Sequence, residues 1–250
     1  MEGFFSTLPF SRMLRQLGRL PAAALFLAAC SSGGGDGGGG TPTVTSPSSG
    51  VYTTTFPLTE NPISETNAWI NGGATGLDWT NYRTTSGLAF GTETGSGGFD
   101  DSVATLSGTW GPIQTVTAVV HSVNQNSGIY EEVELLLHFQ ITAHSARGYE
   151  INFRCVQDGT QYSQIVRWNG PLGNFTYLNS ATGPGITNGD TVKATIDGTG
   201  LISVYINNNF LYSVTDTTWT DGNPGMGWFT SSATTNSNHG FTSYTASDGP

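Results

Sequence analysis

The sequence predicts an all-β fold, a two-sheet antiparallel sandwich, and three observations predict it. Apolar and polar residues alternate at period two in short runs, and no window keeps a helical period over three turns. The runs are bounded by Gly, Asn and Asp clusters at the spacing expected of a sandwich. Composition agrees: 10% of residues are charged, 35 of 250 are glycine, and Lys193 is the only lysine. Such a chain suits short strands joined by polar turns and argues against a helical bundle.

In chain order, residues 1–29 come first, with Arg12, Arg15 and Arg19 ahead of the short apolar run 21–29. A positive segment followed by a short apolar stretch has the design of an export signal, and this one is too short to span a bilayer. The run ends in Leu27-Ala28-Ala29-Cys30, which resembles a bacterial lipobox. That resemblance implies cleavage before Cys30 and lipidation of its thiol, with removal of residues 1–29 as a lipoprotein signal peptide. Residues 30–50 continue as SSGGGDGGGGTPTVTSPSSG after the cysteine, a coil with no capacity to form a core. A tether of this kind has an r.m.s. reach of about 25 Å. Ser31 and Ser32 after the cysteine resemble outer-membrane sorting signals, so in a Gram-negative host the expected location is the outer membrane or cell surface.

Residues 51–250 form the expected folded domain. Glu131–Ile141 is the clearest strand, with Val133, Leu135, Leu137, Phe139 and Ile141 on one face. Glu132, Glu134, Leu136, His138 and Gln140 fall on the other. Tyr149–Cys155 repeats the pattern, setting Glu150, Asn152 and Arg154 opposite its apolar set and Cys155 on the buried face. Further strands are expected at 116–121, 162–168, 175–178, 191–197, 201–207, 210–215, 225–230 and 241–246, separated by NGG, DGTG, NNN and DGNPG turns.

The order of the last strands carries a resemblance. The run from Asn188 to Gly198 leads into Leu201–Asn207, then Phe210–Asp216, Gly225-Met226-Gly227-Trp228 and a closing 241–248. This progression resembles the concanavalin A-like lectin/glucanase superfamily, and within it the laminin-G-like bacterial domains. The resemblance covers residues 130–250 well and 51–129 weakly, and it rests on patterning. It implies a jelly roll whose concave sheet usually faces ligand, and it implies no particular activity.

Glu132 and Glu134 lie next but one on a strand, about 7 Å apart at Cα, so their carboxyls can approach the ~5–5.5 Å that a retaining glycosidase needs. Retaining glucanases of the superfamily carry an E-x-D-x-(x)-E strand, and Glu132-Val133-Glu134 looks like its first half. The third carboxylate would fall at 136 or 137, and both are Leu here. Two readings therefore stand. One is a non-catalytic module that binds a polysaccharide or glycan, or mediates surface interaction, with Glu150, Asn152, Arg154, Trp168 and Tyr205 as the carbohydrate-binding set. The other is a glycoside hydrolase or polysaccharide lyase using Glu132, Glu134 and His138. The plain alternative to both is a solvated polar face with cross-strand ion pairs. Asp100, Asp101 and Asp248 are the residues with the oxygen chemistry for a structural calcium.

Charge and motifs exclude other classes. The net charge is −10, and the first 29 residues carry +2 of it, leaving −12 on the remainder. An acidic domain has no electrostatic footprint for nucleic acid, and anionic lipid repels it, so membrane attachment falls to the lipid on Cys30 alone. His121, His138, His144 and His239 show no zinc spacing, and no G-x-S-x-G elbow or nucleotide motif is present. Detergent phase separation checks the anchor: the wild type partitions into the detergent phase, Cys30→Ala stays in the aqueous phase, and an unacylated wild-type mass would refute it.

Overall fold

A computed structural model of the protein describes residues 50–249 apart from 96, 97, 100, 124, 126, 127, 181, 182 and 233–235. Cys30, the tether and Asp100 lie outside the described residues. Fifteen strands are described: β1 Val51–Thr54, β2 Trp69–Asn71, β3 Tyr82–Thr85, β4 Leu88–Gly91, β5 Ser102–Leu106, β6 Gln114–Ser122, β7 Glu131–Thr142 and β8 Ser145–Arg154. The chain continues through β9 Ser163–Gly170, β10 Phe175–Tyr177, β11 Thr191–Ile196, β12 Leu201–Ile206, β13 Asn209–Thr215, β14 Asn223–Thr230 and β15 His239–Asp248. A four-residue helix, α1 Gly72–Thr75, follows β2.

The strands form two antiparallel sheets. One has eight strands in the order β13-β12-β11-β6-β15-β4-β3, with β1 also paired to β15; the other has seven, in the order β10-β9-β8-β7-β14-β5-β2. Every strand expected from residue 114 onward is present, and the sequence order of the strands is scrambled across the sheets as a jelly roll requires. The fold is a two-sheet antiparallel jelly-roll sandwich.

The main core lies between the sheets. β6 alternates strictly, burying Gln114, Val116, Ala118, Val120 and Ser122, and β11 buries Val192, Ala194 and Ile196 in the same rhythm. From the facing sheet come Val133, Leu135, Leu137, Tyr149, Ile151, Phe153 and the free thiol of Cys155. Strict alternation marks the eight-stranded sheet because only one of its faces is covered along β6 and β11.

The seven-stranded sheet behaves differently. Residues 131–139 of β7, 148–154 of β8 and 224–230 of β14 are buried without interruption. A second apolar cluster covers its outer face, built from Leu136, Phe139, Val103, Val166, Trp168 and Ala146 under Leu77 and Trp79 of the segment that follows α1. Both faces of this sheet are therefore packed.

A β-bulge in β7 corrects the expected face assignment of that strand. Its register runs Leu137↔Tyr149 and then Gln140↔Arg147, so His138 and Phe139 together oppose Gly148. The pairing with β14 slips at the same place, from Leu136↔Gly225 to Phe139↔Asn223. One extra residue inverts the alternation. Phe139 and Ile141 leave the main core for the outer cluster with Leu136, and His138, at φ +48°, turns to the side of Tyr149. Two glycines admit the bulge: a Cβ at Gly148 would lie 2.6 Å from the His138 carbonyl oxygen, and one at Gly222 would lie 2.3 Å from the His138 carbonyl carbon.

One buried ionisable pair joins the sheets. Glu131 Oε1 and His239 Nδ1 are 3.7 Å apart, His239 stacks on Trp228 at 4.3 Å, and its Nε2 lies 3.0 Å from the Phe229 carbonyl oxygen. Burial pushes the Glu131 carboxyl up from its ordinary 4.5 to about 7 and the His239 imidazole down from 6.5 to about 3.

Those shifts set opposite slopes. Between pH 4.5 and 7 folded Glu131 keeps a proton that the unfolded chain releases, so rising pH removes stability; between pH 3 and 6.5 the unfolded chain protonates a His239 that the fold keeps neutral, so rising pH adds stability. Glu131→Gln deletes the first slope only. Its stability relative to the wild type therefore rises between pH 5 and pH 7, as read from urea midpoints at the two values. The bulge has its own check: Gly148→Ala, at φ +138° and against backbone, loses about 2 kcal/mol or more, whereas Gly98→Ala, with nothing within 4 Å, stays within about 0.5 kcal/mol in the same urea titrations.

Candidate functional site

The outer face of the seven-stranded sheet gathers most of the residues that the sequence singled out. Registers place Glu132 opposite Arg154, Glu134 opposite Asn152, and Leu136 opposite Glu150, all on the side away from the main core. Trp168 of β9 stands beside them, opposite Gly148. Their alternation against Val133, Leu135, Tyr149, Ile151 and Phe153 is as expected, but their exposure is not. Glu132, Glu134, Glu150, Asn152, Arg154 and Trp168 are all 0–3% exposed. The expected solvated face is a second interior, with Leu77 and Trp79 packed against its Leu136, Phe139 and Trp168.

Each polar group on that face has specific geometry. The Trp168 indole N–H donates to Glu150 Oε2 at 2.6 Å. The Tyr162 hydroxyl donates to Glu132 Oε1. The Arg154 guanidinium lies 4.2 Å from the Tyr130 ring centroid and 5.9 Å from that of Tyr162. Its Nη1 donates to the carbonyl and hydroxyl oxygens of Thr160, at 2.8 and 2.7 Å. A buried charge needs such satisfaction, and two stacked rings with two hydrogen bonds supply it to the cation.

Asp101, immediately before β5, joins Glu134 of β7 and Glu150 of β8. Ligand oxygens of the three lie within 4.8 Å of one another, and each residue is 0% exposed. By sequence these three residues belong to three different expected roles, and the sheet brings them together.

Other expected members stand elsewhere. His138 is carried off the outer face by the bulge; its Nδ1 and Nε2 lie 3.0 and 2.9 Å from the carbonyl oxygens of Trp219 and Pro112, and its N–H donates to Gln114 Oε1 at 3.0 Å. It clamps two loops and does not converge with Glu132 and Glu134. Tyr205 belongs to β12 in the other sheet, where its ring lies 4.1 Å from Lys193 Nζ and 5.7 Å from the Phe210 ring. Asp248 accepts the backbone N–H groups of Gly50 and Gly111, both at 2.7 Å, so it closes the chain ends of the eight-stranded sheet and does not join Asp101.

The structure joins to Trp168 aromatic residues that the sequence pattern does not assign to the site. Phe139, Trp79, Trp168 and Phe175 make successive ring contacts at 6.2, 4.5 and 5.1 Å. Phe175 then contacts Phe99 at 5.2 Å and Tyr177 at 5.1 Å. The series starts in the interior and ends at the rim of the sheet, where Phe99 and Phe175 are half-buried and Tyr177 is 43% exposed. The period-two spacing of Phe175 and Tyr177 on a short edge strand was a usable signal for this rim. Trp79 and Phe99 come from loops far away in sequence and had none.

No protein-family model matches the chain, and no curated protein matches it. Solved structures do: the metal-free crystal structure of the Emp46p carbohydrate recognition domain aligns at TM-score 0.52 and 12% identity, over 78% of this chain and 94% of that one. The carbohydrate binding module CBM66 from Bacillus subtilis aligns at TM-score 0.49 and 13% identity, over 74% and 96% of the two chains. LamAcat from Zobellia galactanivorans aligns at 0.47 and 10%, over 80% and 98%. At 12% identity the first of these shows a shared fold.

Proposed function

We propose that the protein is a cell-envelope lipoprotein whose sandwich binds carbohydrate without catalysis, using the aromatic rim at β10. The observation that carries this reading is the ring series that runs from Trp168 through Phe175 to the exposed Tyr177. Sugar rings present C–H faces that stack on aromatic planes, and a ring already packed on its neighbours loses little freedom when a ligand arrives. The fold shared with the Emp46p carbohydrate recognition domain is in keeping with it. The lipobox at Cys30 and the coil behind it support attachment through lipid, with the domain presented about 25 Å from the bilayer. Among the described residues no helix is long and apolar enough to cross a membrane.

The hydrolase or lyase alternative loses its geometry. It requires Glu132, Glu134 and His138 on one accessible face, whereas the bulge removes His138 and both glutamates are buried. A retaining glycosidase sets its carboxyls on either side of a bound pyranose, and fully covered carboxyls leave no room for one.

A glycan array of neutral and acidic polysaccharides tests the binding reading. The wild type returns reproducible hits, and Tyr177→Ala weakens them about five- to tenfold, the loss of one aromatic stacking contact. An array without hits, or hits that Tyr177→Ala leaves unchanged, would refute the rim as the binding site.

A further inference from the structure

We propose that Asp101, Glu134 and Glu150, with the amide oxygen of Asn152, bind a calcium ion that ties β5, β7 and β8 together across β14. The site is independent of the glycan reading and stands or falls without it.

Three carboxyl groups with oxygens within 4.8 Å of one another, each 0% exposed, place like charges side by side in a low-dielectric interior. Either protons or a cation must compensate such a cluster. The donors are all oxygen, which selects a hard cation over zinc or copper. Size discriminates further. An ion touching all its ligands holds them no farther apart than twice its bond length, about 5.2 Å for calcium and about 4.2 Å for magnesium. Oxygens that all lie within 4.8 Å of one another satisfy the calcium limit.

Asn152 points to a ligand independently of the acids. It is 3% exposed, and its Oδ1 has no hydrogen-bond partner among the described residues. It stands directly across from Glu134 and two positions along β8 from Glu150, so its side chain belongs to the same face. An amide carbonyl oxygen is an ordinary calcium ligand, and an interior acceptor of this kind is one that a cation would satisfy.

The backbone leaves space for the group. β14 runs between β7 and β5, and it passes Glu134 with Gly227. A Cβ on Gly227 would lie 2.1 Å from Glu134 Oε2, so only glycine lets that carboxylate extend over β14 toward Asp101. On the far side the Trp168 N–H holds one oxygen of Glu150 in place. The three acids are thus brought to one point from the paired strands β7 and β8 and from the start of β5 beyond β14, by a glycine gap and an indole clamp.

The test uses the purified full chain, elemental analysis as isolated, and calorimetric titration with calcium chloride or magnesium chloride after chelation. We expect stoichiometric calcium as isolated or on titration, a rise in melting temperature of about 5 °C at a hundredfold excess over Kd, and a weaker response to magnesium. Glu134→Gln and Asn152→Ala each weaken calcium binding at least tenfold. Because a substitution at Glu134 can disturb folding, Asn152→Ala and the wild-type metal content are read separately. A wild type that neither contains nor takes up calcium overturns the proposal, and so does uptake that both variants leave unchanged.

Discussion

The seven-stranded sheet is packed on both faces, and one extra residue in β7 makes that packing work. A strand with an unbroken period of two would send Phe139 and Ile141 into the space between the sheets along with Val133, Leu135 and Leu137. The bulge at His138–Phe139 instead delivers their side chains to the outer cluster, where Trp79 and Trp168 receive Phe139. The two flanking glycines are the structural condition for this, since a β-carbon at either would collide with the bulged backbone. Everything on the outer face is arranged around that inversion.

Covering the outer face changes what its polar residues can do. Glutamates, an asparagine and an arginine in an interior cannot receive a polymer from solvent, yet their desolvation makes every remaining interaction stronger. Arg154 is sandwiched near two tyrosine rings and Glu150 is held by an indole, so the row is organised rather than merely tolerated. The accessible chemistry moves to the rim. There the aromatic series surfaces at Tyr177, on a short edge strand where a ligand can approach.

The sandwich holds its rim residues on strands anchored in two cores, which keeps their rings in place. A cation pinning β5 to β8 would act at the same level, stiffening the sheet beneath the rim.

The sequence by itself determined the sandwich and the strands from residue 114 to 248, because one covered face writes a period of two into β6 and β11, and the first half of β7 alternates core apolar residues with the polar ones of its other face. It also determined the burial of Cys155. The early strands were not legible. β2, β3 and β4 have three or four residues each, and β5 is buried along its whole length, so none shows an alternation to detect. Only the tertiary structure decided that the acids are interior, that His138 leaves them, and that Asp101, Glu134 and Glu150 meet. Which face a strand presents is local information, whereas what lies over that face depends on segments such as 72–80 folding back from elsewhere in the chain.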